Sequence, residues 1–288
     1  MELMSSLATG IDILQCFSSE RPALGVTEVA RRLDVPKSTI SRLLREMMRH
    51  GLVERDEGTR RYPPGPLAFR LGTLYQAHLG ILDLVDEAVD ALVEEFGLTG
   101  YIGVLNGADL VVLRVRQGSY LVRFMLEPGY SVPAFTTAIG KALLARLDDD
   151  AIRAMHPPTL HYPVTDLTMT IDDLLDQLRQ AREQHWTMAT GTTFSGFSAV
   201  GVAVGGMNGQ QAIAFCLSYP AGTAFEEKTG DMIKSLVAHA ARIGKRSADP
   251  FWTNVEGACG PGPTDQRTRS LPDEVPGYDG RVRYEVHL

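Results

Sequence analysis

Three cysteines in 288 residues, Cys16, Cys216 and Cys259, are too few and too scattered for a disulfide framework or a zinc site. No apolar run approaches the ~18 residues that a membrane-crossing helix needs. The opening MELMSSLATG has neither the charged start nor the long apolar centre of a signal peptide. A general excess of positive charge is missing too: 28 Lys and Arg stand against 35 Asp and Glu, a net charge of −7. These shortages exclude a disulfide-stapled secreted scaffold, a membrane span and an indiscriminate polyanion binder. The expectation is a cytoplasmic protein with no metal and no cofactor. The composition that remains, 44% hydrophobic and 22% charged, is that of a globular chain long enough for two domains.

The charge is unevenly spread. Residues 1–62 carry ten basic and nine acidic side chains, whereas the remainder carries eighteen and twenty-six. Nine of those ten cations fall between Val26 and Tyr62, in VTEVARRLDVPKSTISRLLREMMRHGLVERDEGTRRY. A small basic head on an acidic body points to a specific partner for the head.

Thr27 reads as an N-cap, with Glu28 where a helix dipole favours a carboxylate. Val29, Ala30 and Leu33 follow at helical spacing, so a helix is expected over about 27–33. Asp34-Val35-Pro36 breaks it, and proline suits the first turn of a second helix running to about His50, with Gly51 to end it. Two helices joined by so short a turn make a helix-turn-helix. In the second, Ile40, Leu43, Leu44 and Met47 share one face, and Ser38, Ser41, Arg42, Arg45 and Arg49 share the opposite one. A side with serines and arginines and no acid suits a major-groove reader, because Arg bonds guanine edges bidentately and Ser bonds bases or phosphates. The pieces LVERD and RRYPP, on either side of Glu57-Gly58, read as a hairpin wing with Arg60 and Arg61 at its tip. Candidate DNA contacts are therefore Thr27, Lys37, Ser38, Thr39, Ser41, Arg42, Arg45, Arg60 and Arg61.

Elsewhere, Leu7, Ile11, Leu14 and Phe17 give a first helix that could pack under this unit. Residues 65–97 read as one or two helices that bury Leu67, Leu71, Leu74, Leu82, Val85, Val89 and Leu92; the first part is a plausible linker and dimer contact. From Thr99 the period changes toward two. Asn106-Gly107 signals a hairpin, YLVRFML a strand, AIGKALLARL and IDDLLDQLRQAREQ helices, and Asn208-Gly209 a second hairpin before a closing helix. This order predicts an α+β domain around an antiparallel sheet. Past residue 246 the Pro and Gly density predicts a flexible tail.

The helix-turn-helix segment with YPPGPLAFRLG, followed in order by AFTTAIGKALLARL, HYPVTDLTMTIDDLLDQLRQAREQHW, GFSAVGVAV and IAFCLSYPAG, resembles the IclR-type transcriptional regulators over residues 3–245. The resemblance implies a winged helix-turn-helix at 1–65, a linker helix at 66–80 and a GAF-like effector-binding domain at 81–246, with 247–288 left over. It also implies a homodimer, often paired into tetramers, that binds a double-stranded DNA operator, commonly as a repressor. A small carboxylate effector would then sit beside the GKAL helix start, where the amides of Ala138 and Ile139 suit an anion. Ser218 matches the family position that bonds ligand oxygen. The family's acid ahead of TGTTFSG is Ala189 here and its cysteine in the next strand is Ala199, so the pocket is expected to be roomier and less polar. With Phe124, Leu126, Phe194 and Phe197 nearby, an aromatic acid is favoured over a two- or three-carbon one.

Enzyme readings are weaker. Gly140-Lys141 lacks the earlier glycine and following Ser/Thr of a phosphate loop, TFSGFS is not a nucleophile elbow, and His156, His161, His185 and His239 lack ligand spacing. A ligand-converting enzyme with an appended helix-turn-helix, and a scaffold whose basic helix binds an acidic protein, remain the alternatives.

Overall fold

A computed structural model describes residues 6–18, 21–120, 123–124, 126–205, 210–253 and 284–285. The chain divides into two compact units, residues 1–78 and 79–288. In the first, α1 (Ser6–Gln15), α2 (Val26–Leu33) and α3 (Lys37–Arg49) surround a small core, and α4 (Pro66–His78) follows. Ile13, Leu24, Val29, Ile40, Leu44 and Val53 are all at most 1% exposed in that core. Each such aliphatic side chain contributes about 1.5–3 kcal/mol by leaving water.

Local chemistry sets the ends of these helices, with some differences from expectation. Gly25, not Thr27, is the N-cap of α2, which leaves Thr27 in the first turn. Asp34 takes a left-handed conformation (φ +52) to close α2, and Pro36 stands at the N-cap of α3. Gly51, at φ +73, ends α3 as anticipated. The wing is a hairpin held by Glu54 N–H to Pro63 O and Asp56 N–H to Arg61 O, both 2.9 Å, rather than by long strands. Its inner arm also pairs with the segment before α2 through Leu24 and Tyr62.

Two phase assignments are corrected. On α1 the buried side is Thr9, Gly10 and Ile13, with Cys16 just past its end; of the expected stripe Phe17 packs against the core, whereas Leu7 and Ile11 are 73% and 47% exposed. The core admits only one narrow stripe of α1, and the small residues Thr9 and Gly10 let that stripe come close. On α4 no residue is buried: Leu71 and Leu74 are 53% and 63% exposed, and Leu67 is half-buried. Their apolar spacing therefore does not reflect this chain's own core.

The second unit is α+β. A six-stranded antiparallel sheet has the order β4-β2-β1-β9-β8-β7, from β1 (Thr99–Asn106), β2 (Asp109–Arg116), β4 (Ser131–Pro133), β7 (Thr187–Thr190), β8 (Phe197–Val204) and β9 (Ile213–Pro220). Period-two alternation divides its core. Ile102, Val104, Val200, Val202, Phe215 and Leu217 point to the side covered by α5 (Leu82–Phe96) and α9 (Thr223–Ser247). Tyr101, Leu110, Val112, Ala203 and Cys216 point to the side of α6 (Ala138–Leu144) and α8 (Ile171–Gln184). A 3₁₀ turn, Ala134–Thr136, leads into α6, and α7 (Asp149–Met155) and the β5–β6 hairpin (Thr159–Tyr162, Leu167–Thr170) precede α8. Leu82, Val85, Val89 and Leu92 are buried along α5 as expected.

The β1–β2 turn is Gly107-Ala108, one residue later than Asn106-Gly107, because Asn106 pairs with Asp109. Gly107 supplies the positive φ (+60) that the first loop position requires. The strand expected over YLVRFML is described only at Arg123–Phe124 (β3), which pairs with Tyr284–Glu285 (β10). Asn208-Gly209 and Cys259 lie outside the described residues. No described helix is long and apolar enough to cross a membrane.

The tail expectation fails at its start. Residues 247–253 are part of the fold, ending in α10 (Pro250–Thr253); 254–283 and 286–288 lie outside the described residues. Trp252 is fully buried, and its Nε1 donates to Ala203 O at 2.8 Å. Asp249, 2% exposed, pairs with Arg146 at 2.8 Å and accepts from Gly205 N at 2.6 Å. Composition concealed this, because two residues, an acid and an indole, do the anchoring within a Pro- and Gly-rich neighbourhood. Asp249→Ala strands the partly buried Arg146 and should cost about 3–5 kcal/mol in urea unfolding of the second unit. A loss under about 0.5 kcal/mol, the size of an ordinary surface substitution, would show that the segment is not anchored this way.

Candidate functional site

Two places gather the polar groups that the cores leave over. The first is on the helix-turn-helix. With Ile40 and Leu44 buried and Leu43 and Met47 half-buried, the rest of α3 faces outward. Lys37, Ser38, Arg42 and Arg45 are exposed, and Thr39 and Ser41 are half-buried. Arg45 Nε donates to Ser41 O at 3.2 Å, along the same face. The helix's acid, Glu46, is engaged by Arg49 and His50, each at 3.3 Å.

Thr27, Ser41, Arg45, Arg60 and Arg61 border one open cleft of about 1270 Å³ between α2, α3 and the wing. Lys37, Ser38, Thr39 and Arg42 lie outside it. Sequence reasoning missed Arg31 and Arg55, which the cleft adds; both were visible as cations, but the wing's return path that places them together was not. Arg61 departs from expectation. Its guanidinium is not held out at the wing tip but turns inward, where Nε and Nη2 donate to Ala23 O at 3.0 and 2.8 Å and Nη2 meets Glu28 at 2.6 Å. Arg60 beside it is left-handed, at φ +57.

The second place is inside the sheet domain. Backbone register sets Ala189, Ala199 and Ser218 in one cross-strand row over β7, β8 and β9. The next row is Thr187, Gly201, Cys216 and Tyr101. Small side chains in both rows let α6 approach: Thr187 Oγ1 donates to Ala138 O at 2.6 Å. Thr137 caps α6, its Oγ1 accepting from Gly140 N at 2.8 Å, while Lys141 N–H bonds Thr137 O. Gly140 is required there, since a Cβ would lie 2.2 Å from Ala134 O. Capping leaves the amides of Ala138 and Ile139 without an intrahelical acceptor.

These elements line a part-open cavity with about 510 Å³ of non-atom space, open solvent included. Eight of the nine residues expected around an effector line it: Leu126, Ala138, Ile139, Ala189, Phe194, Phe197, Ala199 and Ser218. Phe124 sits on β3, and its side chain lies outside the described residues. Tyr101, Thr137, Thr193, Ser198 and Cys216 also line the wall. Cys216 was legible, because it shares a strand face with Ser218 two residues on. Thr137 was legible as the residue that starts a helix. The Cys216 thiol is pushed up to about 12 by burial and stays neutral. Ser218 Oγ makes only a long bond, 3.4 Å, to Ser198 O. Among the described lining residues there is no Lys, Arg, His, Asp or Glu.

The family model described as IclR helix-turn-helix domain matches residues 6–57, and that described as bacterial transcriptional regulator IclR C-terminal matches residues 73–245. The chain belongs to the IclR family of bacterial transcriptional regulators. It is similar to the HTH-type transcriptional regulator BhcR of Paracoccus denitrificans, 26% identical over 239 residues that cover 83% of this chain and 85% of the relative. Among solved structures, an IclR transcriptional regulator described as putative from Silicibacter sp. aligns with TM-score 0.73 at 22% identity, over 88% of this chain and 99% of that one. An IclR homolog from Microbacterium hydrocarbonoxydans, complexed with 4-hydroxybenzoate, aligns with TM-score 0.69 at 18% identity, over 84% and 100%. The curated relatives are named as regulators, not as enzymes.

One group on α6 has no charged partner among the described residues. Lys141 is 8% exposed, and its Nζ donates to Gln177 Oε1 at 3.2 Å. Burial alone lowers its pKa from 10.5 to about 8. Between those values the unfolded chain binds the proton more tightly, so this group makes stability rise with pH from about 8 to 10.5. Lys141→Met should therefore stabilise the IclR fold at pH 7 by up to roughly 3 kcal/mol, a gain that disappears by pH 10.5. Equal urea midpoints for the two proteins at pH 7 would contradict a buried, uncompensated ammonium.

Proposed function

We propose that the chain is an effector-responsive repressor that reads a near-palindromic operator as a homodimer, paired into tetramers. In this reading each α3 enters a major groove. Arg42 and Arg45 contact bases or phosphates, Lys37, Ser38, Thr39 and Ser41 support them, and Thr27 and Arg60 reach the backbone. The observation that carries it is the acid-free Ser/Arg face, exposed because the opposite face is committed to the core. A second copy of the chain is the natural cover for Leu7, Ile11, Phe69, Leu71 and Leu74, an apolar set left in water on α1 and α4. Repression is the commoner mode in the family.

For the effector, the cavity supports an aromatic carboxylate. A carboxylate would take the amides of Ala138 and Ile139 and the Ser218 hydroxyl, and its ring would lie against Leu126, Phe194 and Phe197. With no lysine or arginine among the described lining residues, oriented dipoles hold the charge. The relative with bound 4-hydroxybenzoate carries an acid of this shape. Effector binding is read out at the DNA through α4; a coupling of about 1–3 kcal/mol changes affinity 5–150-fold.

Arg42→Ala and Arg45→Ala should each weaken duplex binding by about 1–3 kcal/mol and relax preference at one base pair. Leu74→Glu should give a monomer in light scattering. Unchanged affinity and salt slope in both arginine variants would favour the scaffold reading. In thermal-shift screening, 4-hydroxybenzoate or benzoate at ~100 times Kd should stabilise the protein by about 2.7 kcal/mol, and Ser218→Ala should diminish the shift. Stabilisation by glyoxylate or pyruvate alone would contradict the aromatic assignment.

A further inference from the structure

The cleft between α2, α3 and the wing carries the cations Arg31, Arg45, Arg55 and Arg60 around one carboxylate among its described lining residues, Glu28. An acid on a surface offered to phosphates should repel them. Its surroundings give it another role. Glu28 lies in the first turn of α2, and its Oε2 accepts from Arg61 Nη2 at 2.6 Å. The same guanidinium donates twice to Ala23 O, on the segment that enters α2. Beside it, Leu24 and Tyr62 exchange both backbone bonds, at 2.9 and 2.8 Å. These bonds join parts of the chain 33 and 38 residues apart. An exposed ion pair is ordinarily worth little, but here three hydrogen bonds fix one planar group on two acceptors, which Arg can do and Lys cannot.

The clamp also explains the backbone next to it. Arg60 is left-handed at φ +57, a conformation that disfavours a side chain larger than glycine. With Arg61 fixed on Ala23 and Glu28, Arg60 borders the open cleft beside it.

We propose that the Glu28–Arg61 pair is a positioning device: it fastens the wing to the start of α2, so that Arg55 and Arg60 face the same phosphate track as Arg31 and Arg45, and touches no DNA itself. This rests on the DNA-binding reading above. Glu28 is neutralised within the protein, and its removal loosens the wing more than it relieves repulsion.

The test uses the full chain and a duplex enriched from a random pool by the wild-type protein, with affinity measured across a salt series. Glu28→Gln and Arg61→Gln should each weaken binding at fixed salt by about three- to tenfold. Their slopes of log K against log salt should match the wild type, because no phosphate contact is lost. Arg61→Lys should behave as Arg61→Gln does, whereas Arg60→Gln should lower the slope by about one. Thermal unfolding checks that each variant is folded, and Glu28→Gln decides if Arg61→Gln is not. Tighter or unchanged binding by Glu28→Gln, or a slope reduced by about one in Arg61→Gln, overturns the clamp. If Arg42→Ala weakens binding while Glu28→Gln does not, the clamp alone fails. A wild-type protein without salt-sensitive duplex binding removes the DNA reading and the clamp with it.

Discussion

Burial of Ile40 and Leu44 fixes the rotation of α3, and most of what the first unit offers to a partner follows from that rotation. A helix turns by about 100° per residue, so placing those two side chains in the core commits Ser38, Arg42 and Arg45 to water. Rotating the helix to hide the arginines would expose the core and strand cations in it, at a cost far beyond the marginal stability of a small domain. The outward face is held by packing energy and not by the weak contacts among its polar groups.

The second unit applies the same logic with a period of two. In β8 and β9 the large side chains, Val200, Val202, Phe215 and Leu217, go to the face covered by α5 and α9. The opposite face receives Gly201, against which α6 packs, and Ala199, Cys216 and Ser218, too small to fill the space beside it. The cavity is the volume those small residues leave, roofed by a helix whose first amides have no internal acceptor. Asp249 and Trp252 then fix the end of β8 from the C-terminal side, so the sheet bearing the cavity is anchored beyond the span the family profile covers.

Periodicity made the strongly two-sided elements legible: α3, α5, and the alternation of β8 and β9. It failed where the partner surface was not in the chain's own core. The leucines of α4 have helical spacing, yet they face water, and spacing alone cannot say what will cover a stripe. On α1 the small Thr9 and Gly10 took the buried side, which a hydrophobicity pattern undervalues. Arg61 was legible as a cation of the wing but not as an internal clamp, since that depends on a carbonyl 38 residues earlier. Most of the cavity wall could be assembled from the resemblance, and Cys216 from the strand face it shares with Ser218, whereas Tyr101 joins them only through the β1–β9 register.

The most direct test of the α3 assignment places a cutting reagent on the face itself. Ser41→Cys, in a Cys259→Ser background where the described cysteines Cys16 and Cys216 are buried, can carry a tethered iron chelate that cleaves nearby sugars. The account predicts two clusters of cuts in an enriched duplex, separated by about one helical turn or a multiple of it, as two α3 helices in successive major grooves require. Salt-sensitive binding without cleavage from position 41, or cuts scattered without that spacing, would contradict it.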